Sequence, residues 1–193
     1  MIRRPFSYTV WPSDFIEKSC NTNLIHVNSH SITSNLSVNP NSQNHLNSMS
    51  NINLIIEERP SNIGNFMVGR LLPFREKRMV GPFAFVDHMG PTCLSDHENL
   101  DVPPHPHIGL STLTYLFEGA IMHKDGLGNE TEIQPGQVNW MTAGSGIVHS
   151  ERTPAYLRTS NKMLHGLQIW VALPKALEEM EPEFFHFNED EIP

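Results

Sequence analysis

From residue 52 onward, short apolar or alternating runs follow one another, each closed by proline or glycine. Asn53-Leu54-Ile55-Ile56-Glu57, Asn65-Phe66-Met67-Val68-Gly69-Arg70-Leu71-Leu72 and Gly81-Pro82-Phe83-Ala84-Phe85-Val86-Asp87 open the series. Gly109-Leu110-Ser111-Thr112-Leu113-Thr114-Tyr115-Leu116 continues it, rich in the β-branched and aromatic residues that suit a pleated surface. Asp125-Gly126 and Pro135-Gly136 read as turns. Many short strands at regular spacing predict an all-β fold, a sandwich or a barrel, and a double-sheet jelly roll satisfies the pattern. Only Pro174-Lys175-Ala176-Leu177-Glu178-Glu179-Met180 looks helical, with proline where a first turn tolerates it. No internal repeat is visible.

Residues 21 to 51 have a different texture. Asparagine and serine dominate, as in Asn35-Leu36-Ser37-Val38-Asn39-Pro40-Asn41-Ser42-Gln43-Asn44, and such a stretch buries too little apolar surface to offset the entropy of ordering it. Residues 1–51 are therefore expected to form a disordered tail, with His26, His30 and His45 solvated in it, and residues 52–193 to form one domain.

Composition narrows the function classes. A chain of 193 residues is long enough for one domain with a substantial core. Its formal net charge of −8, without any basic stripe, argues against direct binding to nucleic acid, whose phosphates demand a basic surface. Much of the acid lies near the C-terminus, in Glu178, Glu179, Glu181, Glu183, Glu189, Asp190 and Glu191, and reads as a solvated surface. Cys20 and Cys93 alone do not indicate a disulfide framework. The proline-broken segment Pro5-Phe6-Ser7-Tyr8-Thr9-Val10-Trp11-Pro12 lacks the continuous apolar core of an export signal, and no run is long enough to span a membrane. A cytoplasmic protein is expected.

The chemistry is carried by two short motifs, Pro104-His105-Pro106-His107 and His149-Ser150-Glu151. Each places two metal ligands at i and i+2, and residues two apart on a strand project from one face, about 7 Å apart. Paired strands could aim all four at one point. Three imidazoles and one carboxylate suit iron(II), manganese, nickel, copper or zinc, whereas an all-oxygen set would suggest calcium or magnesium. Four protein ligands on an octahedral ion leave up to two positions open for water, substrate or dioxygen. Gly144-Ser145-Gly146 forms a glycine turn that delivers the strand carrying the second pair. Other residues invite readings of their own. His123 and Asp125 lie on an expected hairpin, with Asp125 stabilising the turn. Asp87 and His88 are expected in a loop, Trp140 and Trp170 in the core, and Gln168 or His165 beside the metal pocket.

Taken together, Pro104-His105-Pro106-His107, Thr114-Tyr115-Leu116, Glu118-Gly119, His123, Asp125, Pro135-Gly136, Trp140-Met141-Thr142-Ala143-Gly144 and His149-Ser150-Glu151 resemble the N-terminal domain of the pirins, members of the cupin superfamily. Arg78-Met79-Val80-Gly81-Pro82-Phe83 and Asp87-His88-Met89-Gly90-Pro91 upstream, and His165-Gly166-Leu167-Gln168-Ile169-Trp170-Val171 downstream, extend the likeness over residues 52 to 193. The resemblance implies a cupin-type double-stranded β-helix and one iron held by His105, His107, His149 and Glu151. It implies quercetin 2,3-dioxygenase-like activity, in which iron(II) binds a flavonol and dioxygen attacks the ring, with Glu151 as the candidate base. Two departures concern polarity beside the site: Ser111 and Thr112 stand where cupins carry a glutamate after the HxH, and Ile108 and Ser111 where many pirins carry an arginine and an acid. A metal- or redox-sensing regulator acting through a protein partner, or an inactive truncated relative, are the alternatives. Pirins ordinarily carry two cupin domains. The resemblance here reaches only the first, so a missing second domain, a surface open to a homodimer or protein partner, and weak turnover are expected.

Overall fold

The computed structural model describes residues 53–192; the expected tail, residues 1–51, lies outside them. Among the described residues, eleven strands form two antiparallel sheets. In chain order they are β1 (Arg59–Asn62), β2 (Met67–Leu72), β3 (Phe83–Leu94), β4 (Asp101–His107), β5 (Leu110–Glu118), β6 (Ile121–Asp125), β7 (Glu130–Ile133), β8 (Val138–Thr142), β9 (Ile147–Arg152), β10 (Lys162–Ala172) and β11 (Glu183–Phe187). The larger sheet runs β1-β2-β3-β10-β5-β8-β11 and the smaller β4-β9-β6-β7. Two facing antiparallel sheets are the predicted jelly-roll arrangement of the cupins.

Side-chain alternation turns one face of each strand into the interior. On β5 the inward residues are Thr112, Thr114 and Leu116, two apart and all buried. On β9 they are Ile147, His149 and Glu151; on β6, Ile121 and His123 precede Asp125. Leu116 of β5, Leu164 of β10 and Met89 of β3 meet Ile121 and Ile133 from the other sheet in one apolar cluster. The buried polar residues Ser111, Thr112 and Thr114 lie on β5, and Asn139 and Thr142 on its neighbour β8. A second apolar cluster joins Met141, Ala143 and Ile147 with Phe184, and the first is a plug between the two sheets. Leu116 is fully buried in that plug. Its truncation to Ala is expected to cost about 2–5 kcal/mol, the usual range for removing a core leucine. Urea denaturation checks this, and a loss under about 1 kcal/mol would mean that the plug collapses around the gap.

Several expectations are corrected. Residues 53–57 form no strand; Leu54 and Ile55 are exposed, and pairing starts only at Arg59, opposite Arg70 of β2. Asp87 and His88 lie within strand β3 rather than a loop, with Asp87 opposite Gln168 of β10. The helical segment is one 3-10 turn, Lys175–Leu177, after which the chain turns back to pair β11 with β8. Cys93 of β3 is disulfide-bonded, against the expectation from the cysteine count; the only other cysteine, Cys20, lies outside the described residues. Among the described residues no helix is long and apolar enough to cross a membrane.

Candidate metal centre

The register of β9 assembles the site. His149 is opposite His105 of β4 on one side and opposite Asp125 of β6 on the other. Glu151 is opposite Val102 and His123. Period-2 alternation then turns His105, His107 and His149 toward one point. The turn before β9 needs its glycine: Gly144 has φ 50°, and a Cβ there would strike the Met180 carbonyl. Its own carbonyl accepts the Gly109 N–H at 2.8 Å, which ties the β9 turn to the end of the HxH strand.

His149 Nε2 lies 3.1 Å from His105 Nε2 and 3.0 Å from His107 Nε2. These nitrogens belong to a cluster able to hold a metal ion, in which His107 and His149 are buried and His105 is half-buried. Glu151 stands outside that cluster. Its carboxylate Oε1 accepts from the Thr114 hydroxyl at 3.0 Å, and the same Oγ1 lies 2.8 Å from Gln168 Oε1. The two sequence motifs are thus brought to one place, with three histidines converging and the glutamate beside them.

The aromatic surroundings were not foreseen. Trp170 is half-buried rather than in the core; it packs edge-on against His107 at 5.1 Å and stacks on Phe85 at 4.2 Å. Arg70 covers Phe85 at 4.5 Å and is held by Asp87 through two 2.8 Å bonds. Of the two pocket candidates, Gln168 reaches the site through Thr114, while His165 is engaged with His88 at 2.9 Å. Thr114 and Phe85 were missed. A threonine in phase with buried Leu116 was the available signal for the first; none marked the second.

Electrostatics support a cation. Burial, then the neighbouring His105, His107 and His123, lowers the His149 pKa to about 2. Burial and His105 lower His107 to about 4. Burial raises Glu151, only partly opposed by the Thr114 bond and nearby histidines. Neutral imidazoles with convergent nitrogens are ready metal ligands, and a buried carboxylate without a cationic hydrogen-bonding partner is stabilised by a positive ion. The donor set therefore fits a divalent transition metal.

A pH consequence follows for the metal-free chain. Unfolded histidines protonate near 6.5. Between that value and the folded ones, about 4 for His107 and about 2 for His149, the unfolded state binds two more histidine protons. Glu151, raised by folding, offsets at most one of them. Net proton uptake on unfolding means that the histidine contribution is fully present above about pH 6.5 and is lost as pH falls toward about 4. Thermal denaturation in chelator across that window should show a falling midpoint, and a flat profile would contradict the buried, neutral histidines.

Comparison with known proteins agrees with this fold. The pirin family model matches residues 65–171. A pirin-like protein of Caulobacter vibrioides is 56% identical over 137 residues, covering 70% of this chain and 47% of its own length. The crystal structure of a quercetin 2,3-dioxygenase from Acinetobacter baumannii is 45% identical with a TM-score of 0.64, covering 68% of this chain and 43% of that one. A bacterial pirin of Escherichia coli, solved in complex with nickel(II), is 24% identical with a TM-score of 0.56, over 68% of this chain and 54% of that one, and supports the fold. The chain spans about half the length of these relatives.

Proposed function

Because the chain belongs to the pirin family, we propose that it binds one iron(II) and carries out quercetin 2,3-dioxygenase-like cleavage of a flavonol with dioxygen. The convergence of His105, His107 and His149 on one point, with buried Glu151 beside them, carries this reading. The likeness to the Acinetobacter baumannii enzyme supports the substrate class. The metal would be held by the three imidazoles, with Glu151 as an anionic fourth donor.

When bound, the ion would act as a Lewis acid that acidifies the flavonol hydroxyl and brings it together with dioxygen. The chain supplies the rest. Burial raises the proton affinity of Glu151, which suits its carboxylate to accept the hydroxyl proton. Thr114 has one hydroxyl proton for two acceptors, Glu151 and Gln168. It donates to the ionised carboxylate, and it can turn its proton toward Gln168 once Glu151 is protonated. Trp170, backed by Phe85 and edge-on to His107, offers an aromatic surface against which a planar polyphenol can stack.

Iron(II) reconstitution without oxygen, followed by addition of quercetin and air, tests the proposal. Flavonol-dependent loss of the substrate absorbance, in proportion to bound iron, is expected. Full iron loading with no flavonol consumption would overturn the enzymatic reading and leave a metal-binding protein whose partner must be sought by capture in the two iron oxidation states.

A further inference from the structure

On the side of His149 away from the ligand cluster, a chain of buried hydrogen-bonding groups runs to a carboxylate. Asp125 closes the β6–β7 turn as the sequence suggested: its Oδ1 accepts the Leu127 N–H at 2.9 Å and the Asn129 N–H at 3.1 Å. The Asn129 side-chain amide adds bonds of 3.1 and 2.9 Å to the two oxygens. These donors fix the carboxylate, whose side chain is fully buried, in one orientation. Its Oδ2 is left facing His123 Nε2 at 3.1 Å. The other His123 nitrogen, Nδ1, faces His149 Nδ1 at 3.4 Å. Phe184 of β11 stacks on the His123 ring at 4.5 Å and 15°, which fixes its plane.

With one proton on each ring and a hydrogen bond between the two imidazoles, proton placement along this line has one solution. An ionised carboxylate only accepts, so the His123 proton sits on Nε2 and Nδ1 carries a lone pair. That lone pair accepts from His149, so the His149 proton sits on Nδ1. His149 Nε2 is then unprotonated, and it is this atom that meets His105 and His107 at 3.1 and 3.0 Å. His105 is set in a similar way by a simpler partner: its Nδ1 donates to the Pro103 carbonyl at 2.9 Å, which frees its Nε2.

We infer that Asp125 and His123 are positioning residues for the metal centre, a buried carboxylate–histidine relay that holds His149 in the Nδ1–H tautomer with Nε2 free to bind a metal. The inference rests on the proposed metal site and goes beyond its ligands. Carboxylate or carbonyl partners behind ligating histidines fix tautomer and ring direction and raise ligand basicity. Here the carboxylate acts through a second imidazole, and it is anchored by the turn rather than by the ligand strand. Ring orientation and proton placement at His149 are therefore set before any metal arrives.

Two readouts test this. The first uses the metal-free wild-type chain: long-range nitrogen–proton correlation spectra of labelled histidine should show His149 as the Nδ1–H tautomer and His123 as Nε2–H. His149 found mainly as Nε2–H would overturn the relay whether or not the chain binds metal. The second uses cobalt(II) in competition with a chromophoric chelator. His123→Leu, which removes the acceptor, should weaken binding by about 10- to 100-fold, the usual loss for a partner behind a ligand. His123→Asn, whose amide oxygen can stand near the position of Nδ1, should recover most of it. Asp125→Asn should shift His123 and His149 toward the opposite tautomers and weaken binding in the same range. Wild-type affinity in both His123→Leu and Asp125→Asn would overturn the inference, whereas absence of cobalt binding in the wild type would overturn the metal site itself.

Discussion

His149→Ala should leave the purified chain without stoichiometric metal, the largest effect expected from any single substitution at the site. His149 Nε2 is the atom within 3.0–3.1 Å of both other ligand nitrogens, so its loss removes the point on which the cluster closes. The loss should exceed the roughly 10- to 100-fold that removal of an outer partner produces. His105→Ala and His107→Ala should show the same direction. The metal-free fold should also lose some stability, because the substitution removes a buried ring and leaves His123 without its His149 contact. Elemental analysis beside denaturation of the chelated protein separates the two. Full metal content in all three variants would refute the assignment.

Glu151→Gln is the second large effect, and it divides stability from activity. In the metal-free chain the Glu151 carboxyl is buried and its proton affinity raised. A group whose folded pKa is raised contributes stability that is present below its unfolded value, near 4.5, and is lost as pH rises through the folded value. A neutral amide of similar shape removes that loss, so the variant without metal should be at least as stable as wild type at pH 7. Its Thr114 contact persists as a neutral hydrogen bond. Flavonol turnover should nevertheless fall by about 10²–10⁴-fold, the range associated with loss of a general base. Metal affinity should weaken as the anionic donor disappears. A variant with wild-type turnover would remove Glu151 from the chemistry, and one much less stable without metal would contradict the cost of burying its charge.

Much of this arrangement was legible in local sequence. The HxH and HxE motifs needed only the two-residue period of a strand, and the structure adds that His105 and His149 are register partners. The jelly roll was visible because its strands are short and its turns carry glycine and proline. What stayed hidden depends on pairing across long sequence distances. Phe85 meets Trp170 because β3 and β10 are neighbours, and nothing local to either residue announces that contact. The apolar run at 53–57 had the right pattern for a strand but finds no ladder partner before Arg59. His165 and Gln168 differ by three positions on one strand, and a register shift between His165 and Gly166 alters the phase that would have told them apart. Asp125 had a sufficient local explanation as a turn residue, and its contact with His123 adds a connection to His149 that a turn motif does not encode.

The most direct test of the central claim is oxygen uptake by the full chain, titrated with iron(II) from zero to beyond one equivalent in the presence of quercetin. The proposed centre predicts flavonol-dependent uptake that rises linearly with iron and breaks at one equivalent per chain, with none in His149→Ala. Uptake independent of iron, or a wild-type chain that takes up one equivalent of iron and consumes no oxygen with the flavonol, would contradict it.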